Sequence, residues 1–87
     1  MRVGNVGDLG RHLRERRRSA GFTQQQLAER ADVSRRWLSG LEAGKPSAEI
    51  GLVLRVVEAL GLYADIRPAP QPDIDLDAYL ESFEGPR

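Results

Sequence analysis

Eighty-seven residues, 40% of them apolar and none cysteine, allow one small core and exclude both a disulfide scaffold and a thiolate metal site. No apolar run approaches the roughly 20 residues that span a bilayer, and the amino terminus lacks the apolar core of a signal peptide, so no membrane association and a cytoplasmic location are expected. The net charge of zero hides a division: up to Pro46 ten basic side chains face five acidic ones, a surplus of +5, and beyond it three face eight, a surplus of −5. A basic half suits a polyanion and an acidic half suits a different partner. With so small a core, oligomerisation is the expected supplement to stability.

The first helix is expected from about Gly7 to Ala20, capped by Asn5, with Asp8 in the first turn where the helix dipole favours an acid and Gly21 as its stop. Val6, Leu9 and Leu13 form one apolar stripe, which leaves Arg11, Arg14, Arg17 and Arg18 to the surface. Thr23 followed three residues later by Gln26 starts a second helix at Gln24, and Phe22 is placed to staple onto Leu27. That helix carries Leu27, Ala28 and Ala31 and meets a tight turn at Asp32 and Val33. Ser34 then caps a third helix, Arg35 to Leu41. Its buried edge is Leu38 and Leu41, so Arg35, Arg36, Ser39 and Gly40 point outward. Trp37 takes two readings: packing at the edge of the buried face, or a contact with a sugar-phosphate backbone or a thymine methyl.

Ala43-Gly44-Lys45-Pro46 reads as a helix stop and loop, after which Ser47 with Glu49 begins a fourth helix that runs to about Leu60. It is apolar twice over. Ile50, Val53, Val57 and Leu60 form one stripe, and Leu52, Val56 and Ala59 form a second that wants a partner, plain core being the rival reading. Past Gly61, the alternation of Leu62, Ala64 and Ile66 with Tyr63, Asp65 and Arg67 reads as a short strand ended by Pro68. A lone strand needs another, and a symmetry mate supplies it, so Leu52, Val56, Ala59, Leu62, Ala64 and Ile66 are the candidate homodimer interface. The expected class is all-α, four helices plus a strand pairing across a homodimer, in one domain over 1–67. Residues 68–87 are a proline-rich linker and acidic tail, expected to be disordered unless bound. In the tail Leu76, Leu80 and Phe83 are spaced for one face of a partner-induced helix.

The stretch FTQQQLAERADVSRRWLSGLEAGKP, Phe22 to Pro46, resembles the helix-turn-helix of the lambda Cro and repressor class, the XRE family. The resemblance rests on the Thr-Gln start, the Leu-Ala pair, the Val-Ser lead into the third helix and the Leu-Glu-x-Gly-Lys exit. Ala28 suits a close helix crossing. The turn position often held by glycine is Asp32, one of the few residues that tolerate a left-handed backbone. A helix presenting short and bidentate polar groups from its amino-terminal end fits the major groove. Arg35 and Arg36, with Ser39 as a weaker contributor, are thus the candidate base readers. The resemblance implies phosphate anchors at Gln24, Ser34 and Lys45, with Arg14 and Arg18 adding backbone charge. Glu42 is expected to pair with an arginine, Arg30 being the candidate. His12 stands without the companions a metal site needs. No metal or other cofactor is expected, and no catalytic constellation appears at useful spacing, so an enzyme is not expected.

The segment SRRWLSGLEAGKPSAEIGLVLRVVEALGL, with a strand and acidic tail in place of a further helix, is similar to HipB-type antitoxins. That likeness implies a homodimer on a palindromic operator, half-sites about 34 Å apart, autorepression of a toxin-antitoxin operon, and a HipA-like kinase toxin as protein partner. The tail residues Leu76, Leu80 and Phe83 are one candidate toxin contact. The alternatives are a stand-alone repressor of the same family and a protein-interaction adaptor without DNA binding.

Overall fold

In the computed structural model, which describes residues 2–69, four helices follow one another: α1 Val6–Ser19, α2 Gln24–Ala31, α3 Arg35–Glu42 and α4 Ile50–Ala59. Three of them begin on side-chain caps. The Asn5 carboxamide oxygen accepts from the Asp8 N–H at 2.8 Å, and the Ser34 hydroxyl from the Trp37 N–H at 3.0 Å. At α2 the box is reciprocal: Gln26 N–H donates to the Thr23 hydroxyl at 3.1 Å and Thr23 N–H to the Gln26 side chain at 2.9 Å. α4 differs from expectation. It begins three residues after Ser47, with Glu49 at its start making no side-chain cap, because residues 47–49 carry the chain from the end of α3 to α2, on which α4 packs.

All four helices end alike. A residue with positive φ follows each, and the next N–H reaches back to a carbonyl five residues earlier: Phe22 to Arg17, Val33 to Ala28, Lys45 to Gly40 and Leu62 to Val57, all at 2.9–3.1 Å. Glycine fills the positive-φ position at Gly21, Gly44 and Gly61, and Asp32 fills it at φ 56° after α2. The left-handed Asp32 expected from the sequence is therefore present, and it sets the sharp angle between α2 and α3.

The core gathers Leu13 from α1, Leu27, Ala28 and Ala31 from α2, Leu38 and Leu41 from α3, and Val53, Val56 and Val57 from α4. Five of these (Leu13, Leu27, Leu38, Leu41 and Val56) are essentially sealed from water, each contributing about 1.5–3 kcal/mol through burial. Phe22, Val33 and Trp37 pack against them from the rim. α1 meets α3 through a contact not foreseen from the sequence: a Cβ at Gly10 would collide with the carbonyl oxygen of Leu41. Glycine lets the two backbones touch there.

The two-stripe reading of α4 is corrected. Val53, Val56 and Val57 point inward together, with Leu60 half-buried behind them, because i, i+3, i+4 and i+7 share one helical face. Val56, assigned above to a dimer interface, is sealed in its own protomer's core, while Ile50 and Leu54 are left outside. Leu52, Ala59 and Leu62 are half-buried, and Ala64 and Ile66 are exposed. Residues 62–69 form neither helix nor strand ladder within the single chain; a strand that pairs with a symmetry mate has its partner in the second copy. The candidate tail contacts Leu76, Leu80 and Phe83 lie outside the described residues. Among the described residues no helix is long and apolar enough to cross a membrane.

Candidate nucleic-acid interface

α3 owes its outward face to its own sequence. Leu38, Leu41 and Glu42 occupy the inward side, so Arg35, Arg36 and Ser39 stand exposed on the other, with Ser34 exposed at the head of the helix. No acidic residue sits in the first turn of α2 or α3, whereas α1 has Asp8 there. The partial positive charges at both helix starts are thus left for an outside anion.

Two shallow hollows flank α3. On one side Gln24 and Gln25 at the start of α2 face Arg35, with Thr23 and Arg17 completing the lining. On the other, Ser34, Arg36 and Trp37 of the α3 start face Lys45 and Ser47 of the loop, over a floor that includes Gly40, Leu41 and Ala48. The geometry sets cationic and hydroxyl groups on either side of a projecting helix, as a helix lying in a groove between two phosphate chains requires. Of the expected anchors, Gln24, Ser34 and Lys45 converge on these hollows. Arg14 and Arg18 lie outside both linings, exposed one turn apart on α1. Trp37 is half-buried, packed on the core with one side in the hollow.

Beneath the first hollow lies a buried ion pair. Arg17 donates from Nε to Glu42 Oε2 at 2.8 Å and from a terminal nitrogen to Oε1 at 3.0 Å, and its other terminal nitrogen reaches the Phe22 carbonyl at 2.8 Å. Gln24 Nε2 donates to the same Glu42 Oε1 at 3.2 Å. The end of α1, the start of α2 and the end of α3 are thereby locked together, and Gln24 is held on its inner side. Glu42 does pair with an arginine as expected, but with Arg17 rather than Arg30, and Arg17 is core-facing, only 8% exposed, rather than part of the basic surface. Arg30 instead lies over the Phe22 ring, 5.3 Å from its centroid, and donates to the Ala59 carbonyl at 3.1 Å. A signal for the pair does exist in the sequence. Arg17 follows Leu13 by one turn and Glu42 follows Leu38 by one turn, so both charges fall on apolar stripes.

Residues 8–69 match the family model described as a helix-turn-helix domain. An uncharacterized HTH-type transcriptional regulator of Sinorhizobium fredii is 42% identical over 65 residues, 75% of this chain and 86% of that protein. Another, from Methanothermobacter thermautotrophicus, is 43% identical over 49 residues, 56% of this chain and 71% of its own length. Among solved structures, a HipB–O4 20mer complex and a chain described as MDT protein each share the fold at TM-score 0.75 and 17% identity, covering 80% of this chain and 99% of theirs. With a bihelical motif that presents α3, a family match over most of its length and regulators as its relatives, this chain belongs to the helix-turn-helix domain family as an XRE-like, non-enzymatic DNA-binding transcriptional regulator with a HipB-like fold.

Proposed function

We propose that the chain acts in the cytoplasm as a homodimeric antitoxin that represses its own operon through a palindromic operator and binds a HipA-like kinase toxin. The observation that carries the DNA half is the exposed amino-terminal face of α3, where Arg35, Arg36 and Ser39 project between the two hollows. Arg35 and Arg36 suit bidentate recognition of guanine, while Gln24, Ser34 and Lys45 suit phosphate oxygens that fix register. The side of Trp37 that lines the second hollow suits contact with a sugar. Support for the toxin half is of another kind. It rests on the acidic second half of the chain, on the resemblance of Ser34 to Leu62 to HipB-type antitoxins, and on the fold shared with a HipB solved with a 20mer.

Binding-site selection tests the reading residues: wild type should recover one palindromic preference, and the Arg35→Ala/Arg36→Ala double variant should bind without it. An identical preference in both would remove these arginines from base reading. Capture from the native host, with the full chain and with a chain lacking residues 73–87, tests the partner. A kinase held by the first and lost by the second supports the tail contact; a kinase held by both moves the contact to the folded body. Recovery of operator DNA without a kinase favours the stand-alone repressor, a reading to which the relatives lend weight because both carry regulator names only.

A further inference from the structure

Within residues 2–69 twelve basic side chains face eight acidic ones, a surplus of +4, and residues 70–87 carry five acidic side chains against one basic, a surplus of −4. Four of the eight acids, Asp8, Glu42, Asp32 and Asp65, already lie within ion-pair distance of Arg11, Arg17, Arg55 and Arg67. Among the described residues no ion pair reaches Arg35, Arg36 or Lys45, and no carboxylate lines either hollow beside α3. The excess of positive charge therefore stays uncompensated around α3. The second hollow offers more than charge: beside Arg36 and Lys45 it presents Trp37, over a floor that includes Leu41 and Ala48. The end of the chain carries the matching chemistry. Asp73, Asp75 and Asp77 alternate with Ile74 and Leu76, and Glu81 and Glu84 flank Phe83. Its carboxylates suit the cations, and its apolar side chains suit the indole.

Resting on the reading of α3 as the DNA-facing helix, we propose that the acidic segment 73–84 occupies the second hollow of its own chain and competes with DNA for it. Chain length permits the contact. From Ala69 to Glu84 an extended chain spans up to about 50 Å, whereas a compact domain of 68 residues has a radius of gyration of only about 11 Å. Because it is tethered, the segment acts at an effective concentration in about the millimolar range, so contacts too weak to hold a free peptide suffice. DNA must then displace the carboxylates before its phosphates reach Arg36 and Lys45. The competition lowers affinity for every sequence alike. It also flattens the salt dependence, because added salt loosens the internal contact along with the external one.

Trp37 is the sole tryptophan of the chain and lines the hollow, so its fluorescence reports the contact without DNA. Three chains are compared: wild type, the full chain with Asp73→Asn, Asp75→Asn, Asp77→Asn, Glu81→Gln and Glu84→Gln, and a chain lacking residues 73–87, which keeps every core residue. At low salt, acrylamide quenching of Trp37 should rise in both variants, and wild type should approach them as salt is added. Affinity for DNA of arbitrary sequence should rise about tenfold in both variants, with a slope of log affinity against log salt steeper by about two. Equal quenching in all three chains would overturn the contact even if DNA affinity rose, because a distant negative charge repels DNA without covering an indole. A quenching difference that vanishes on dilution would place the segment on another copy and overturn the contact within the chain. If quenching differs but none of the three chains binds DNA, the DNA reading of α3 falls, and the competition with it, while the contact itself stands.

Discussion

Gly10 and Glu42 act through contacts made between helices distant in the chain. Gly10 sits where α1 touches the last turn of α3, so Gly10→Ala must push the two helices apart; a loss of about 1–3 kcal/mol is expected in urea unfolding. Glu42 neutralises a buried guanidinium, and Glu42→Ala would leave Arg17 charged without its counter-ion, with only the Phe22 carbonyl to accept from it. Such a break costs about 3–5 kcal/mol, a large part of the stability of a domain this size, and should appear as a fall in melting temperature. The exposed charges behave differently. Lys45→Ala should leave the fold intact and weaken binding to every DNA sequence alike, lowering the slope of log affinity against log salt by about one. Arg35→Ala should instead cost about 1–3 kcal/mol at one base position, read by comparing operator variants.

At the scale of the element, helix limits were the most legible feature because they are written in neighbouring residues. Asn5, Thr23 with Gln26, and Ser34 cap the helices that the sequence assigned to them, and Gly21, Gly44 and Gly61 end three helices with positive φ. Ser34→Ala is expected to destabilise by about 0.5–2 kcal/mol, and to weaken DNA binding as the head of α3 frays. The turn between α2 and α3 offers the opposite experiment. Asp32 occupies a left-handed conformation at φ 56° that glycine adopts freely, and its carboxylate makes only an exposed contact with Arg55 at 3.8 Å. Asp32→Gly should therefore raise stability by roughly 0.5–1 kcal/mol, measurable as a higher urea midpoint. The start of α4 was misplaced at Ser47 for the converse reason: no side chain caps it, and packing on α2 fixes where it begins.

Across the whole molecule the division of charge takes on a spatial sense. The basic half supplies Arg35, Arg36 and Lys45 around α3, while Arg17 is withdrawn into the core and Arg30 is bound to Phe22 and Ala59. The exposed surface around α3 is therefore less cationic than the count of arginines suggests. Sequence alone determined the four helices, the family motif and the outward set of α3, because caps and apolar periodicity are local quantities that survive without tertiary context. It did not determine that Glu42 meets Arg17 across 25 residues, that Gly10 admits α3, or that Val56 turns inward and leaves Ile50 and Leu54 exposed. Those depend on which faces of separate helices meet, and periodicity names a face without naming what lies against it.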